Sequence, residues 1–300
     1  MFARRHPFLF FLIIVSICLT VMVLGSVGLV SYGSKILNSP FDTDFASSGG
    51  NIGIIEINGM IFSSKKIIED MKAFRKEEGI KAIILRIDSP GGGIGPSQEI
   101  YREIIKTRRE KKIIASMGSV AASGGYYVAS AADGIIANPG TITGSIGVIM
   151  EYANIMEIAQ KIGISPVVIK SGKYKDIGSP LRDLKDPEKK ILQDLVDELH
   201  LQFVNDIAKA RHIDVETVTN LADGRIYTGE KAMNLKLIDR LGNLDDAVSW
   251  AGEMADIKEE LNPVYPREDK ITFIKKLANT LLKDINITGT ISDNLRYIIN

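Results

Sequence analysis

Alternating strand and helix signals fill the middle of the chain. Short runs rich in β-branched residues predict buried strands at 51–57, 82–87 and 112–116. Between the first two runs, the apolar residues Ile67, Met71 and Phe74 recur at helical spacing and predict an amphipathic helix from about 64 to 77. A second helix is expected over 97–109. Because near-continuous apolar strands alternate with helices, the pattern indicates an α/β domain with parallel strands buried between helices.

The same alternation continues to about residue 254. Further strands are predicted at 134–137, 144–150 and 166–170. Further helices are predicted at 128–133, 154–162, 186–210, 215–221, 229–234 and 244–254. The longest of them carries Ile191, Leu195, Leu199 and Phe203 on one stripe, and its first turn is acidic.

The N-terminus has a different pattern. Residues 8–30 carry no charge, and a helix of that length, at about 1.5 Å per residue, covers a hydrocarbon core of about 30 Å. Arg4 and Arg5 precede it, so the positive-inside rule predicts a single-pass anchor with residue 1 in the cytoplasm and the bulk of the chain outside. The run is longer than a signal-peptide core and no Ala-x-Ala site follows, which favours an uncleaved anchor. The Gly/Ser-rich residues 31–50 predict a flexible linker.

Composition excludes several classes of function. The formal net charge is zero, so no basic patch indicates a nucleic-acid partner. The only cysteine, Cys18, excludes an internal disulfide framework and a multi-cysteine metal site. No two of the three histidines have metal-ligand spacing, and we expect neither a metal nor a cofactor. A histidine-dependent hydrolase would need His200 or His212, which we interpret as structural because one lies inside a predicted helix and the other follows its end.

The stretch Met117–Tyr127 places a serine among small residues. Ser123 lies on a predicted turn from a strand to a helix, where a hydroxyl is exposed to an incoming carbonyl group. Gly124 follows it and leaves a backbone N–H unobstructed for an oxyanion. On this stretch alone a simpler interpretation is favoured, in which Ser123 is only a helix N-cap.

A glycine run, Gly91-Gly92-Gly93, follows the predicted strand at 82–87. A dinucleotide-binding turn would need a further glycine at Gln98, and a phosphate-binding loop would need a lysine after the run; neither is present. Bare N–H groups for an oxyanion are therefore the favoured interpretation, with a purely conformational turn as a close alternative.

Without a usable histidine, a lysine would have to activate Ser123. A lysine does so if burial lowers its pKa and leaves the amine neutral. The possible bases are Lys170, Lys173 and Lys175, and their spacing does not choose among them. For each of them, the simpler interpretation is a solvated surface charge.

Several of these segments together resemble one family. The motifs at Asp88–Gly93, Met117–Tyr127, Thr143–Met150, Lys170–Ile177, Ala222–Gly229 and Leu237–Asp239 are similar to those of the signal peptide peptidase SppA family, also called protease IV. The resemblance covers about residues 50–250, with the motifs in the same order. It implies a Clp-protease/crotonase-like α/β fold, here with an N-terminal transmembrane helix.

The resemblance also implies site residues. By motif, Ser123 corresponds to the nucleophile, Lys175 to the general base and Ser145 to a second serine that orients the lysine. The oxyanion-hole residues implied in the same way are Gly91, Gly92 and Gly124. One copy of each motif corresponds to the short form of the family, in which the serine and lysine resemble parts of a site shared between neighbouring protomers. A ring-shaped homo-oligomer is therefore expected.

The sequence thus predicts a membrane-anchored serine endopeptidase that degrades residual signal peptides and other apolar peptides outside the cytoplasmic (inner) membrane. The expected organisation is a cytoplasmic N-terminus, an anchor, a linker, a peptidase domain and a C-terminal extension, at 1–7, 8–30, 31–50, 51–255 and 256–300. One alternative is a catalytically silent relative that acts as a membrane peptide-binding scaffold. Another is a hydratase-type crotonase enzyme, which the anchor, the external location and the Ser/Lys pair disfavour.

Overall fold

The computed structural model describes residues 49–266, together with Phe8 and Thr20, which both lie in helix. Apart from Phe8 and Thr20, the predicted anchor lies outside the described residues, as do most of the predicted linker and the chain after residue 266. Within the part that is described, no helix is long and apolar enough to cross a membrane.

An eight-stranded sheet forms the centre of the described domain. Its strands are β1 (Ile52–Asn58), β2 (Ala82–Ser89), β3 (Lys112–Ala122), β4 (Gly134–Ala137), β5 (Ile142–Gly144), β6 (Ile226–Thr228), β7 (Arg240–Leu241) and β8 (Pro263–Val264). The main order is β6-β5-β3-β2-β1-β8, while β4 pairs with the first half of β3 and β7 pairs with β4. Every pair is parallel except β5 with β6.

Eight helices connect these strands in the described residues. They are α1 (Lys65–Lys76), α2 (Ile94–Thr107), α3 (Gly124–Ser130), α4 (Met156–Lys161), α5 (Asp186–Arg211), α6 (Val215–Leu221), α7 (Gly229–Asn234) and α8 (Leu244–Met254). Local sequence explains several of their starts. Asp214 caps α6 by accepting the N–H of Glu216 at 2.9 Å, and Asn243 forms a capping box with Asp246 at the start of α8.

The sheet is buried on both faces by different helices. Side chains of α1, α2, α3 and α5 form a large apolar cluster on one face, which includes Leu85 and Ile87 of β2. On the other face, Trp250 of α8 packs in a smaller cluster with Ile84 and Ile114. Two buried faces explain why these strands read as continuous apolar runs in the sequence. The predicted α/β architecture with a mostly parallel sheet is confirmed.

The structure differs from the predicted elements around the central serine. The predicted strand at 112–116 extends to Ala122, and the helix begins at Gly124 rather than at 128. Of the predicted strand at 144–150, only Gly144 lies in β5, because the chain leaves the sheet at Ser145 with a positive φ of 50°. No strand forms at 166–170, although three of the five residues are β-branched. They have no partner strand in the described structure, and propensity alone does not form a strand.

Tight packing at the start of β4 gives a test of the smaller apolar cluster. A Cβ atom on Gly134 would lie 2.7 Å from Cζ2 of Trp250, well inside van der Waals contact. We expect Gly134→Ala to lower the free energy of unfolding by about 1–3 kcal/mol, because the indole ring must shift. A Cβ atom on Gly140 would have open space around it, so Gly140→Ala is the control. It should change the free energy of unfolding by less than about 0.5 kcal/mol. Urea unfolding measures both; equal effects would contradict the packing.

Candidate active site

Ser123 occupies a strained turn between β3 and α3. Its backbone has φ 51° and ψ −120°, a conformation that residues with a side chain rarely adopt. Two hydrogen bonds hold it there: the Ser123 N–H donates to the oxygen of Gly144 at 2.8 Å, and its carbonyl oxygen accepts the N–H of Tyr127 at 2.9 Å. Ser123 is at the N-cap position, but its half-buried side chain makes no capping hydrogen bond. Its hydroxyl has no hydrogen-bond partner among the described residues.

The Gly91 backbone packs directly on this turn. With φ 110°, Gly91 has a conformation that favours glycine. A Cβ atom on Gly91 would lie 2.8 Å from the nitrogen of Gly124 and 2.9 Å from Cβ of Ser123. Only a residue without a side chain allows so close an approach. The glycine run is therefore part of the serine's surroundings.

Two backbone N–H groups beside Ser123 are left unpaired within the described part of the chain. Ile61 pairs with the glycine run as a parallel bridge: its N–H donates to Gly91 oxygen at 2.8 Å, and Gly93 N–H donates to its oxygen at 2.9 Å. In such a pairing the N–H of Gly92 points away from Ile61. A Cβ atom on Gly124 would lie 3.2 Å from the nitrogen of Gly92, so the two glycines are adjacent. Within residues 49–266, neither N–H has an acceptor.

The first glycine of the run has a different role. The N–H of Gly91 donates to Oγ of Ser89 at 3.1 Å and is not free. Oγ of Ser97 donates to the oxygen of Gly93 at 2.9 Å and holds the other end of the run. Ser89 and Ser97 are both buried, and neither was predicted to hold the glycine run. Nothing in the sequence distinguishes these serines from ordinary turn and helix residues.

Ser145 lies at the end of the neighbouring strand. The pairing of β3 with β5 places Ala122 opposite Gly144, so Ser123 and Ser145 both follow a matched pair of residues. Ser145 has φ 50°, and its N–H donates to the oxygen of Arg225 at 2.8 Å. Its side chain is half-buried. The fold thus brings together five of the expected residues, Gly91, Gly92, Ser123, Gly124 and Ser145.

Lys175 lies on a separate, largely exposed segment. We call residues 149–185 the arm; it includes α4. Across the described residues, the hydrogen bonds and ion pairs of the arm stay within it or reach the start of α5. Apolar side chains on the arm face water, with Val167 87% and Ile169 97% exposed. Lys175 is also exposed, and within the described chain no hydrogen bond joins it to Ser123 or Ser145.

The three lysines of the arm differ in their partners. The Lys170 ammonium forms an ion pair with the Asp176 carboxylate. The Lys173 ammonium lies over the Tyr174 ring, 5.0 Å from its centroid. The Lys175 ammonium has no partner in the described part of the chain, and only its backbone N–H is bonded, to the oxygen of Gly172 at 3.2 Å.

An ion-pair cluster at the base of the arm was not predicted from the sequence. Arg182 binds both Asp176 and Glu188, six residues away on either side, a spacing that matches no helical or strand pattern. The hydrogen bond from Arg182 lowers the pKa of Glu188 to about 2. Hydrogen bonds from Arg182 and then Lys170 lower the pKa of Asp176 below its usual range. Both carboxylates are therefore ionised at neutral pH.

Two tyrosines anchor the helix that begins after Ser123. The Tyr126 hydroxyl donates to the oxygen of Leu237 at 2.9 Å, and burial raises its pKa. The Tyr127 hydroxyl donates to the Asp206 carboxylate, and burial followed by this hydrogen bond raises its pKa. The Tyr127 ring also packs on Phe203 of α5, with centroids 4.4 Å apart. These contacts fix α3 to the rest of the domain.

Comparisons with known proteins identify the family. The sequence profile of Peptidase family S49 matches residues 105–258, and a Clp protease profile matches residues 53–143. This chain belongs to peptidase family S49. As an S49 protein it is a serine peptidase, and the Clp protease match confirms the Clp-protease-like part of the predicted fold. The family predicted from the sequence motifs is confirmed.

Several relatives of this S49 peptidase carry related names. A putative protease of Synechocystis is 42% identical over 85% of this chain and 90% of its own length. A putative signal peptide peptidase SppA of Enterococcus faecium is 33% identical over 75% of this chain and 69% of its own length. A chloroplastic serine protease of Arabidopsis thaliana is 35% identical over 79% of this chain, but over only 35% of its own length.

The cluster at the base of the arm gives a pH-dependent prediction for this S49 peptidase. The folded-state pKa of Glu188, about 2, lies below its usual value of 4.5. Ionised Glu188 therefore contributes stability above about pH 4.5, which is lost as the pH falls towards 2. We expect Glu188→Gln to lower the melting temperature at pH 7, and the difference from wild type to narrow below pH 4.5. Thermal unfolding from pH 7 to pH 3 measures this. A difference in melting temperature that stays constant with pH would contradict the lowered pKa of Glu188.

Proposed function

We propose that this S49 peptidase is a membrane-anchored serine endopeptidase that degrades residual signal peptides outside the cytoplasmic membrane. In the proposal, Ser123 is the nucleophile, Lys175 the general base and Ser145 the residue that orients the lysine. One observation carries it: the Ser123 hydroxyl lies on a strained turn beside the N–H groups of Gly92 and Gly124, and none of the three has a partner among the described residues.

The proposed reaction forms and then hydrolyses an ester. The Lys175 amine takes the Ser123 hydroxyl proton as Oγ attacks the peptide carbonyl carbon. The N–H groups of Gly92 and Gly124 donate to the oxyanion of the tetrahedral intermediate. Lys175 then gives its proton to the departing amine as the C–N bond breaks. In the second half, a water molecule loses a proton to Lys175 and attacks the ester, and this proton returns to Ser123 as the acid product leaves.

An extended peptide fits the glycine run. On the side of Gly92 that faces away from Ile61, both its N–H and its carbonyl oxygen are unpaired within the described chain. A substrate in extended conformation can pair its backbone with this open edge of the glycine run. A peptide bound in this way passes in front of Ser123. The side chains of Met60 and Phe62 flank Ile61 and are 56% and 76% exposed. They add exposed apolar surface beside the glycine run, which suits an apolar peptide.

The substrate class and the location have separate support. The relative from Enterococcus faecium is named a putative signal peptide peptidase. Residues 8–30 have the length and the lack of charge of a membrane anchor, and the two arginines before them favour a peptidase domain outside. An anchored peptidase on that side meets apolar peptides that remain in the membrane after secretion.

A ring-shaped homo-oligomer is part of the proposal. The arm exposes apolar side chains that monomeric proteins usually bury, among them Ile149, Val167 and Ile169. An arm that packs on the next protomer would bury them and carry Lys175 towards that protomer's Ser123. Repeating this head-to-tail contact closes a ring with one site per interface.

The activity of single variants tests the proposed catalytic dyad of Ser123 and Lys175. We expect Ser123→Ala and Lys175→Ala each to lower kcat/KM for a fluorogenic apolar peptide by about 10⁴-fold or more, because nucleophile and base act as one unit. Lys173→Ala is the matched control, since it removes an exposed lysine from the same segment, and it should retain wild-type activity. Equal activity in all three variants would contradict the dyad. An inactive but assembled wild type would favour the peptide-binding scaffold.

Mixed oligomers test whether the site is shared. Ser123→Ala and Lys175→Ala chains, each inactive alone, are co-expressed with different tags and purified through both. If serine and lysine come from neighbouring protomers, random mixing gives both intact residues at about a quarter of the interfaces and restores about that fraction of activity. Activity that stays at the level of the single variants would mean that both residues act within one chain.

A further inference from the structure

All five N–H donors of Arg182 are engaged, and two of them connect the arm to α5. Nε donates to Oδ2 of Asp176 at 2.9 Å, and Nη2 donates to the Asp176 backbone oxygen at 3.1 Å. Nη1 and Nη2 donate side by side to the two carboxylate oxygens of Glu188, at 2.8 and 2.7 Å. The fifth donor, on Nη1, reaches the backbone oxygen of Asp183 at 2.9 Å. A guanidinium engaged in this way has one orientation, because its planar fork matches its partners.

The Glu188 end of this connection is fixed to the domain. The Glu188 side chain is only 4% exposed, and it also accepts the backbone N–H of Lys185 at 3.0 Å in the first turn of α5. Further along α5, Phe203 packs on the Tyr127 ring of α3. The same helix that holds Glu188 thus contacts the helix that begins beside Ser123.

The Asp176 end controls the backbone next to Lys175. Arg182 binds both the side chain and the backbone oxygen of Asp176, while the second carboxylate oxygen binds the Lys170 ammonium. Two cations therefore neutralise the carboxylate that adjoins Lys175 in the chain. The backbone of Lys175 is held on both sides, by Gly172 and by Asp176, and its ammonium is left outside the cluster.

We propose that Arg182 is a positioning residue for Lys175: by tying Asp176 to α5, it sets where the lysine amine is held during the reaction. This inference rests on the proposed function, in which Lys175 is the general base. A lysine side chain is long and flexible, so its reach towards a serine hydroxyl depends on a fixed backbone. Proton transfer needs hydrogen-bond distance, and a misplacement of about 1 Å can lower a rate about 100-fold.

Steady-state kinetics of the full-length protein in detergent micelles tests the proposal. With a fluorogenic apolar peptide, we expect Arg182→Gln to lower kcat about 10- to 100-fold and to leave KM within about 3-fold of wild type. Arg182→Lys keeps the positive charge but lacks the planar guanidinium, so its kcat should lie between those of wild type and Arg182→Gln. The matched control is Arg240→Gln, which removes an arginine that pairs with Glu253 and stacks on Trp250; it should keep the wild-type kcat.

A double variant separates positioning from a purely structural role. In Lys175→Ala there is no base to position, so adding Arg182→Gln should lower the rate no further. An additional loss in the double variant, or a rise in KM that matches the loss in kcat, would overturn the proposal. If Arg182→Gln fails to fold, a wild-type kcat for Arg182→Lys would overturn it instead.

Failure of the proposed function gives a different result. If Ser123→Ala and Lys175→Ala are inactive while Arg182→Gln keeps the wild-type kcat, only the role of Arg182 is wrong. If Ser123→Ala or Lys175→Ala keeps the wild-type rate, the proposed dyad itself is wrong.

Discussion

The arrangement around Ser123 depends on the close approach of the Gly91 backbone to the Ser123 turn. A single added carbon at Gly91 would lie inside van der Waals contact with both Ser123 and Gly124. Because this carbon is absent, the carboxyl end of β2 can lie against the carboxyl end of β3. The N–H of Gly92 then adjoins that of Gly124. Functional groups at the carboxyl ends of neighbouring parallel strands are typical of α/β proteins. Here the glycines allow the two strand ends to approach closely.

The rest of the domain keeps that contact in register. The register of the parallel pairs β2–β3 and β3–β5 sets where the carboxyl ends of these strands lie relative to one another. Apolar clusters pack helices against both faces of the sheet. Tyr126 and Tyr127 then fix α3 through hydrogen bonds to different parts of the chain. A turn with an unfavourable backbone conformation persists when its surroundings determine it from several sides.

Much of this arrangement was predictable from the sequence, and the exceptions have physical causes. The helix patterns of α1 and α8 follow from apolar periodicity, because each of these helices buries one face against the sheet. In α5, only Phe203 of the predicted stripe is buried, while Ile191 and Leu195 are each 41% exposed. The apolar run of β2 follows from burial on both faces of the sheet. The predicted strand at 166–170 failed for the opposite reason, since residues such as Val167 and Ile169 pack on nothing in the described chain.

The site was predictable in outline but not in detail. Sequence motifs pointed to both Gly91 and Gly92 as oxyanion-hole candidates and did not choose between them. In the structure, the N–H of Gly91 already donates to Ser89, whereas that of Gly92 has no acceptor among the described residues. The cluster of Arg182, Asp176 and Glu188 joins side chains six positions apart on either side of the arginine, across a turn whose course no periodic pattern encodes. Ion pairs of this kind depend on the path of the backbone, which propensity does not specify.

The backbone of Ser123 has a consequence for how this family can change over evolutionary time. With φ 51° and ψ −120°, the position favours glycine, and a serine there carries strain of about 1–3 kcal/mol. Replacement of Ser123 by glycine would remove both the hydroxyl and the strain. Most substitutions lower stability, whereas loss of the proposed nucleophile at this position raises it. A lineage released from selection for the proposed role of Ser123 can therefore drift to a more stable protein through a single substitution.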